Sequence, residues 1–128
     1  YNIWADNREI PLDFLIIRYE NMQKDIRKEL LRILNFIDIF KVSCNTINTA
    51  IQYTSFENMR LLEKENFFQS FMLRPGDQND LESYKTRRGK VSGFVDYFSE
   101  VDLKWTESII NNQLSSYYNY YKYETTFT

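Results

Sequence analysis

The stretch PLDFLIIRYENM (Pro11–Met22) and the KDIRKELLRILNFID that follows it (24–38) decide how this chain is read. Residues 12–18, LDFLIIR, are mostly apolar and contain an Ile-Ile pair. A run of that length and kind predicts a buried strand of the sort found in parallel sheets. From Lys24 onward the period changes. Ile26, Leu30, Ile33, Leu34 and Ile37 recur at helical spacing, and Asp25 near the start fits a helix N-terminus, which predicts a helix over 24–38. Along the whole chain, one strand and about four helices are predicted. A lone strand, however, leaves its backbone groups unpaired. Its ladder partners must come from another segment, either one outside this chain or the C-terminal tail.

Outward from there, Ser43 caps a short predicted helix over 43–53 with Ile47, Ala50 and Ile51 on one face. Thr54 and Ser55 interrupt it, and Ser55 is placed to cap a further helix, FENMRLLEKEN. Pro75-Gly76 and a polar cluster make 66–84 a long loop. Ser99 and Asp102 form a capping-box signal for a helix over 100–114, with Leu103, Ile109, Ile110 and Leu114 as its apolar positions. The tail SSYYNYYKYETTFT (115–128) is aromatic and polar and has no assigned element.

The 128 residues suit one domain or a piece of a larger one, and 43% hydrophobic with 27% charged residues is a globular composition. The net charge of −2 argues against a general nucleic-acid or membrane-surface binder, and it leaves an RNA- or single-strand-binding reading unfavoured. Histidine is absent, which removes His-based acid–base catalysis, His metal ligands and Ser-His-Asp triads. Cys44 is the only cysteine, so there is neither an internal disulfide nor a thiolate metal cluster. No apolar run approaches a membrane span. The N-terminus has no signal-peptide pattern and no initiator Met, and is expected to be processed or cut from something longer.

Against this nearly neutral background, Lys85, Arg87, Arg88 and Lys90 crowd one short segment, with Gly89 among them and Gly93 just beyond. Arginine offers forked donors to a phosphate or sulfate. A glycine at 89 lets backbone N–H groups approach an anion. The segment therefore reads either as an anion-binding loop or as a solvated basic turn ahead of a helix.

The segment RRGKVSGFVDYFS (Arg87–Ser99) resembles a motif of the sulfotransferase family, of the type R-K-G-x-x-G-D/G-W-x-x-x-F-T/S. PLDFLIIRYENM resembles the family strand ending in R-Y-E-D-M, DIRKELLRILNFIDI the helix after it, and TSFENM (Thr54–Met59) the family's T-S-F-E-x-M. Trp4 resembles a family tryptophan before the strand. The likeness covers roughly residues 4–114 and implies a P-loop-like α/β sulfotransferase fold, of which this is the C-terminal part, mainly helical with one or two strands. It implies 3′-phosphoadenosine 5′-phosphosulfate as co-substrate and a hydroxyl or amine acceptor. Arg87, Arg88 and Gly89 would bind the 3′-phosphate. Phe56 would stack on adenine, Thr54 would hydrogen-bond its exocyclic amine, Tyr19 would contact the base, and Ser55 lies in the same cofactor-binding motif. Without the resemblance, Phe56 reads as core, Thr54 and Ser55 as caps, and Tyr19 as a strand-end tyrosine.

Two positions depart from the pattern: Ser92 stands at the second glycine, and Phe94 at the tryptophan. The phosphosulfate loop of P-K-S-G-T-T type and the catalytic base of the family have no counterpart in these residues. The expectation is a fragment or subunit without catalytic residues or metal, inactive alone, that binds the adenosine 3′-phosphate end of the donor and dimerises or joins a complementary chain. The alternative is a non-catalytic nucleotide-binding or interaction module. The segment NFFQSFMLRPGDQND (66–80) would face the acceptor or form a lid, with Phe67, Phe68, Phe71 and Met72 lining a pocket or belonging to the core. A lone cysteine permits a cytosolic setting, and the family also works in the Golgi lumen.

Overall fold

The computed structural model describes residues 1–120. Among them the regular elements are helices: α1 (Asn2–Asp6), α2 (Tyr19–Lys24), α3 (Ile26–Phe36), α4 (Cys44–Tyr53), α5 (Phe56–Lys64) and α6 (Glu100–Gln113). Short 3-10 turns occur at Leu81–Ser83, Gly93–Asp96 and Ser116–Tyr118. None of these helices is long and apolar enough to cross a membrane.

The expected strand at 12–18 is not formed, so the α/β expectation is met only in its helical part. Residues 13–18 carry no regular structure among the described residues, and Leu12 is fully exposed. A strand exists only as half of a ladder, and no ladder is formed at 13–18 among the described residues. Phe14 to Arg18 are half-buried rather than sealed in a core. The suggestion that the tail supplies a strand falls partly on 121–128, outside the described residues; within them, Ser116–Tyr118 is a 3-10 turn.

The helices follow the predicted caps closely. The Asp25 carboxylate accepts from the Lys28 amide at 2.9 Å and opens α3. Ser43 accepts from the Thr46 amide at 3.0 Å and opens α4. Ser55 accepts from the Asn58 amide at 3.3 Å and opens α5. Ser99 and Asp102 make the reciprocal pair of a capping box on α6. The stops are equally local. Asp38 and Asn66 both take left-handed φ, 60° and 50°. Behind them the Ile39 amide reaches the Leu34 carbonyl at 2.8 Å, and the Phe67 amide reaches Leu62 at 2.9 Å. These are Schellman endings, with Asp and Asn in place of the commoner glycine. Two elements had no place in the sequence reading: α1, and α2, which begins within the RYENM stretch.

The chain divides into two compact units, Ile17–Gly93 and a second made of Tyr1–Ile16 with the chain from Phe94 onward. In the second unit, the Asn2 side chain donates to the Gln113 carbonyl at 2.6 Å and accepts from the Ser115 amide at 2.8 Å. The Tyr118 hydroxyl donates to the Tyr1 carbonyl at 2.6 Å. Trp4 stacks near Phe14, with ring centroids 6.5 Å apart. In the unit Ile17–Gly93, α2 packs on α3, α3 on α4 and α4 on α5. Ile47, Leu62 and Tyr84 are its buried apolar side chains among the described residues, and Glu29 and Glu63 its buried carboxylates.

Candidate functional site

All seven candidate binding residues lie in the unit Ile17–Gly93. The site grows from one face of α5. Phe56, Arg60 and Glu63 stand at i, i+4 and i+7, so a helix brings them into one row. The row meets the segment that carries the basic residues.

At its C-terminal end, the Glu63 carboxylate accepts from the Lys85 amide at 2.6 Å, from the Thr86 amide at 3.0 Å and from the Thr86 hydroxyl at 2.8 Å. Glu63 is only 4% exposed. Burial pushes its carboxyl pKa up, but these bonds and the Lys85 charge outweigh burial and hold it below the ordinary value. In the middle of the row, the Arg60 guanidinium lies 5.6 Å from the Phe56 ring centroid and 5.5 Å from that of Tyr84. Tyr84 is buried, and its hydroxyl donates to the Gln78 carbonyl at 3.1 Å.

At the N-terminal end, the Phe56 ring lies against the backbone of Gly89. A Cβ at Gly89 would sit 2.7 Å from Phe56 Cε2 and 2.9 Å from Cγ, closer than atoms can approach. Gly89 also has φ +60°, a conformation other residues adopt at a cost. One helix thus holds the basic segment on both sides of Arg87 and Arg88.

Both arginines are exposed. Arg87 is in no ion pair among the described residues. Arg88 pairs with Glu82 at 3.4 Å, a partner itself half exposed. Such pairs are weak and open readily to a competing anion. Lys85 and Lys90 are exposed as well. Ser92 has φ 58°, so the serine at the motif's second glycine position does adopt a left-handed conformation. Gly93 does not, and opens the 3-10 turn instead.

Phe56 is half-buried, which sets aside its reading as core. Ser55 is the N-cap of α5, and Thr54 the C-cap of α4. The Thr54 hydroxyl donates to the Ala50 carbonyl at 2.8 Å, so its lone pairs stay available to an amine donor. Tyr19 opens α2, and its hydroxyl accepts from Gln23 at 2.8 Å within that helix. No hydrogen bond or ring contact ties it to Phe56 or Gly89 among the described residues.

Phe67, Phe68, Phe71 and Met72 are exposed, by 58, 40, 77 and 74%, so they are not core in this unit. Phe71 joins Arg74, Pro75 and Lys85 in lining an open cavity of about 610 Å³.

Sequence reasoning found the capping serines and named Phe56 and the arginines as candidates, but did not single out Arg60 and Glu63. The available signal was their spacing from Phe56 along one helix face.

A helix face that carries an aromatic ring and grips a basic, glycine-containing loop defines a candidate nucleotide- or anion-binding domain. A model of the sulfotransferase domain matches residues 2–118, and the chain belongs to the sulfotransferase family. It is similar to sulfotransferase 1E1 of Mus musculus, 30% identical over 98 residues, covering 76% of this chain and 31% of that protein. The flavonol 3-sulfotransferase of Flaveria bidentis is 26% identical over 118 residues, covering 88% of this chain and 37% of that protein. The cytosolic sulfotransferase 15 of Arabidopsis thaliana is 23% identical over 115 residues, covering 87% and 30%. The chain thus spans about a third of the length of the curated relatives it matches. No solved structure matches it.

Proposed function

We propose that this chain binds the adenosine 3′-phosphate end of 3′-phosphoadenosine 5′-phosphosulfate, as the C-terminal part of a sulfotransferase with a P-loop-like α/β fold. The observation that carries the reading is the seating of Gly89 on Phe56, which brings the T-S-F-E-x-M and R-R-G segments into one site. Arg87 and Arg88 present guanidinium donors to the 3′-phosphate, and Gly89 lets the backbone come close. Phe56 offers a half-buried ring to adenine, a contact worth about 1–3 kcal/mol per base. Thr54 accepts from the exocyclic amine, Ser55 holds the turn that presents Phe56, and Tyr19 completes the base contact.

The donor residues suit this group: two arginines within a nearly neutral chain, one of them in no ion pair among the described residues. When bound, the co-substrate supplies the sulfuryl group that passes to a hydroxyl or amine acceptor. The residues of this chain bind and orient its far end, so their contribution is positioning. The exposed Phe67, Phe71 and Met72, with the cavity beside Arg74 and Lys85, face the acceptor. The exposed apolar side chains of Ile10 and Leu12 support contact with a further segment or a second chain.

Calorimetric titration of the chain with adenosine 3′,5′-bisphosphate and with adenosine 5′-monophosphate tests the proposal. The bisphosphate binds more tightly, because only it carries the 3′-phosphate. Equal affinities would overturn the reading.

A further inference from the structure

We infer that Glu63 is a positioning residue for the anion-binding turn: its buried carboxylate moors Lys85 and Thr86 so that Arg87, Arg88 and Gly89 are held ready for a phosphate. The inference rests on the nucleotide-binding reading above and adds a residue outside the motifs that suggested it.

The geometry is unusual for a glutamate in the last turns of a surface helix. Glu63 is 4% exposed and keeps its carboxylate away from water. A buried carboxylate is costly unless its oxygens are hydrogen-bonded. Here two backbone amides and one hydroxyl from consecutive residues, 85 and 86, converge on it. None of the three donors belongs to α5, so these bonds do not serve the helix. They hold a segment 22 and 23 residues away in sequence. The held pair ends one residue before Arg87. On the far side of the arginines, Gly89 rests on Phe56 of the same helix. Between the two fixed points lie only Arg87 and Arg88, both exposed.

A turn fixed at both ends has less conformational freedom to lose when an anion binds. Release at one end lowers the fraction of chains with both arginines placed, and apparent affinity falls in proportion to that fraction. Lys85 contributes its amide to Glu63, and its charge also favours the ionised carboxylate.

The test compares Glu63→Gln, Glu63→Asp and Arg87→Ala with the unmodified 128-residue chain. E63Q retains the shape of the side chain but loses the charge and turns an amide donor toward the loop. Titration with adenosine 3′,5′-bisphosphate should show about tenfold weaker binding for E63Q, as expected if the competent fraction falls to about a tenth. Binding of adenosine 5′-monophosphate should not change. E63D, which keeps the charge, should recover part of the loss. Amide hydrogen exchange supplies a readout free of nucleotide: the Lys85 and Thr86 amides should exchange faster in E63Q while those of α3 and α4 do not. Should E63Q unfold α5, Thr86→Val removes one donor only and should weaken the bisphosphate selectively, by less. If R87A weakens the bisphosphate and E63Q does not, the positioning role is overturned and the binding reading stands. If R87A and Arg88→Ala are themselves without effect, the binding reading falls, and the role of Glu63 in it falls too.

Discussion

Gly89 and Phe56 are in direct apposition: the space where a side chain at 89 would begin is filled by the Phe56 ring. This relationship, more than the charge of the loop, gives the site its form. The positive φ of Gly89 turns the chain just after the two arginines, and the ring of the first residue of α5 supports that turn from below.

Replacing Gly89 with alanine should therefore cost stability in two separable ways. The left-handed conformation alone costs about 1–2 kcal/mol. The clash with Phe56 adds to it, and should vanish when Phe56 is also truncated to alanine. Denaturant unfolding of the two single variants and the double variant should give a coupling of about 0.5–3 kcal/mol. Strict additivity would show that the two residues do not touch.

Ser92 holds φ 58° where the family pattern has glycine. A non-glycine residue there sacrifices about 1–2 kcal/mol, and glycine gives back about 0.5–1 kcal/mol in entropy. Ser92→Gly should thus be neutral to stabilising, by up to about 1 kcal/mol, read as a rise in the denaturation midpoint at unchanged m-value. A clear loss of stability would mean that the serine contributes a contact that outweighs its strain.

The folded-state pKa of Glu63 lies below its ordinary value of 4.5, so its charged form stabilises the fold. That contribution is fully present above pH 4.5 and is lost as pH falls through the lowered folded value. Melting temperatures of the parent chain and Glu63→Gln, followed from pH 7 to pH 2, should differ most at neutral pH and converge in acid. A constant gap across the range would contradict the sign of the shift.

Arg87→Ala and Arg88→Ala should each weaken adenosine 3′,5′-bisphosphate by about 1.5–3 kcal/mol, the scale of a charged hydrogen bond. That is roughly tenfold or more in dissociation constant. Lys85→Ala should change it much less. Glu82 pairs with Arg88 at 3.4 Å and would compete with a phosphate bound there. Glu82→Gln should tighten binding by no more than about 1 kcal/mol, the ceiling for an exposed pair. Calorimetry on the four variants reads all of these together.

The helices were legible because their signals are local. Asp25, Ser43, Ser55 and Ser99 each cap through an amide three residues on, and the apolar faces of α3 and α4 repeat within a turn or two. Such interactions are complete inside a single segment, so their residues can be recognised before anything is packed. The same holds for the identities of Phe56, Arg87 and Arg88, which sit inside short recognisable motifs.

What the sequence by itself determined, then, is where α3 to α6 are capped and which residues are candidates for the site. It did not determine α2, whose opening tyrosine directly follows the 12–18 run that suggested a strand. Nor could it settle 12–18, because strand structure depends on a ladder partner rather than on the run itself. Only the tertiary structure decided that Glu63, unremarkable in sequence, holds the backbone of Lys85 and Thr86, and that Gly89 rather than Gly93 uses its conformational freedom. The reason is physical: those contacts join segments 22 or more residues apart, and which atoms meet depends on how α5 is oriented toward the loop, something no local pattern encodes.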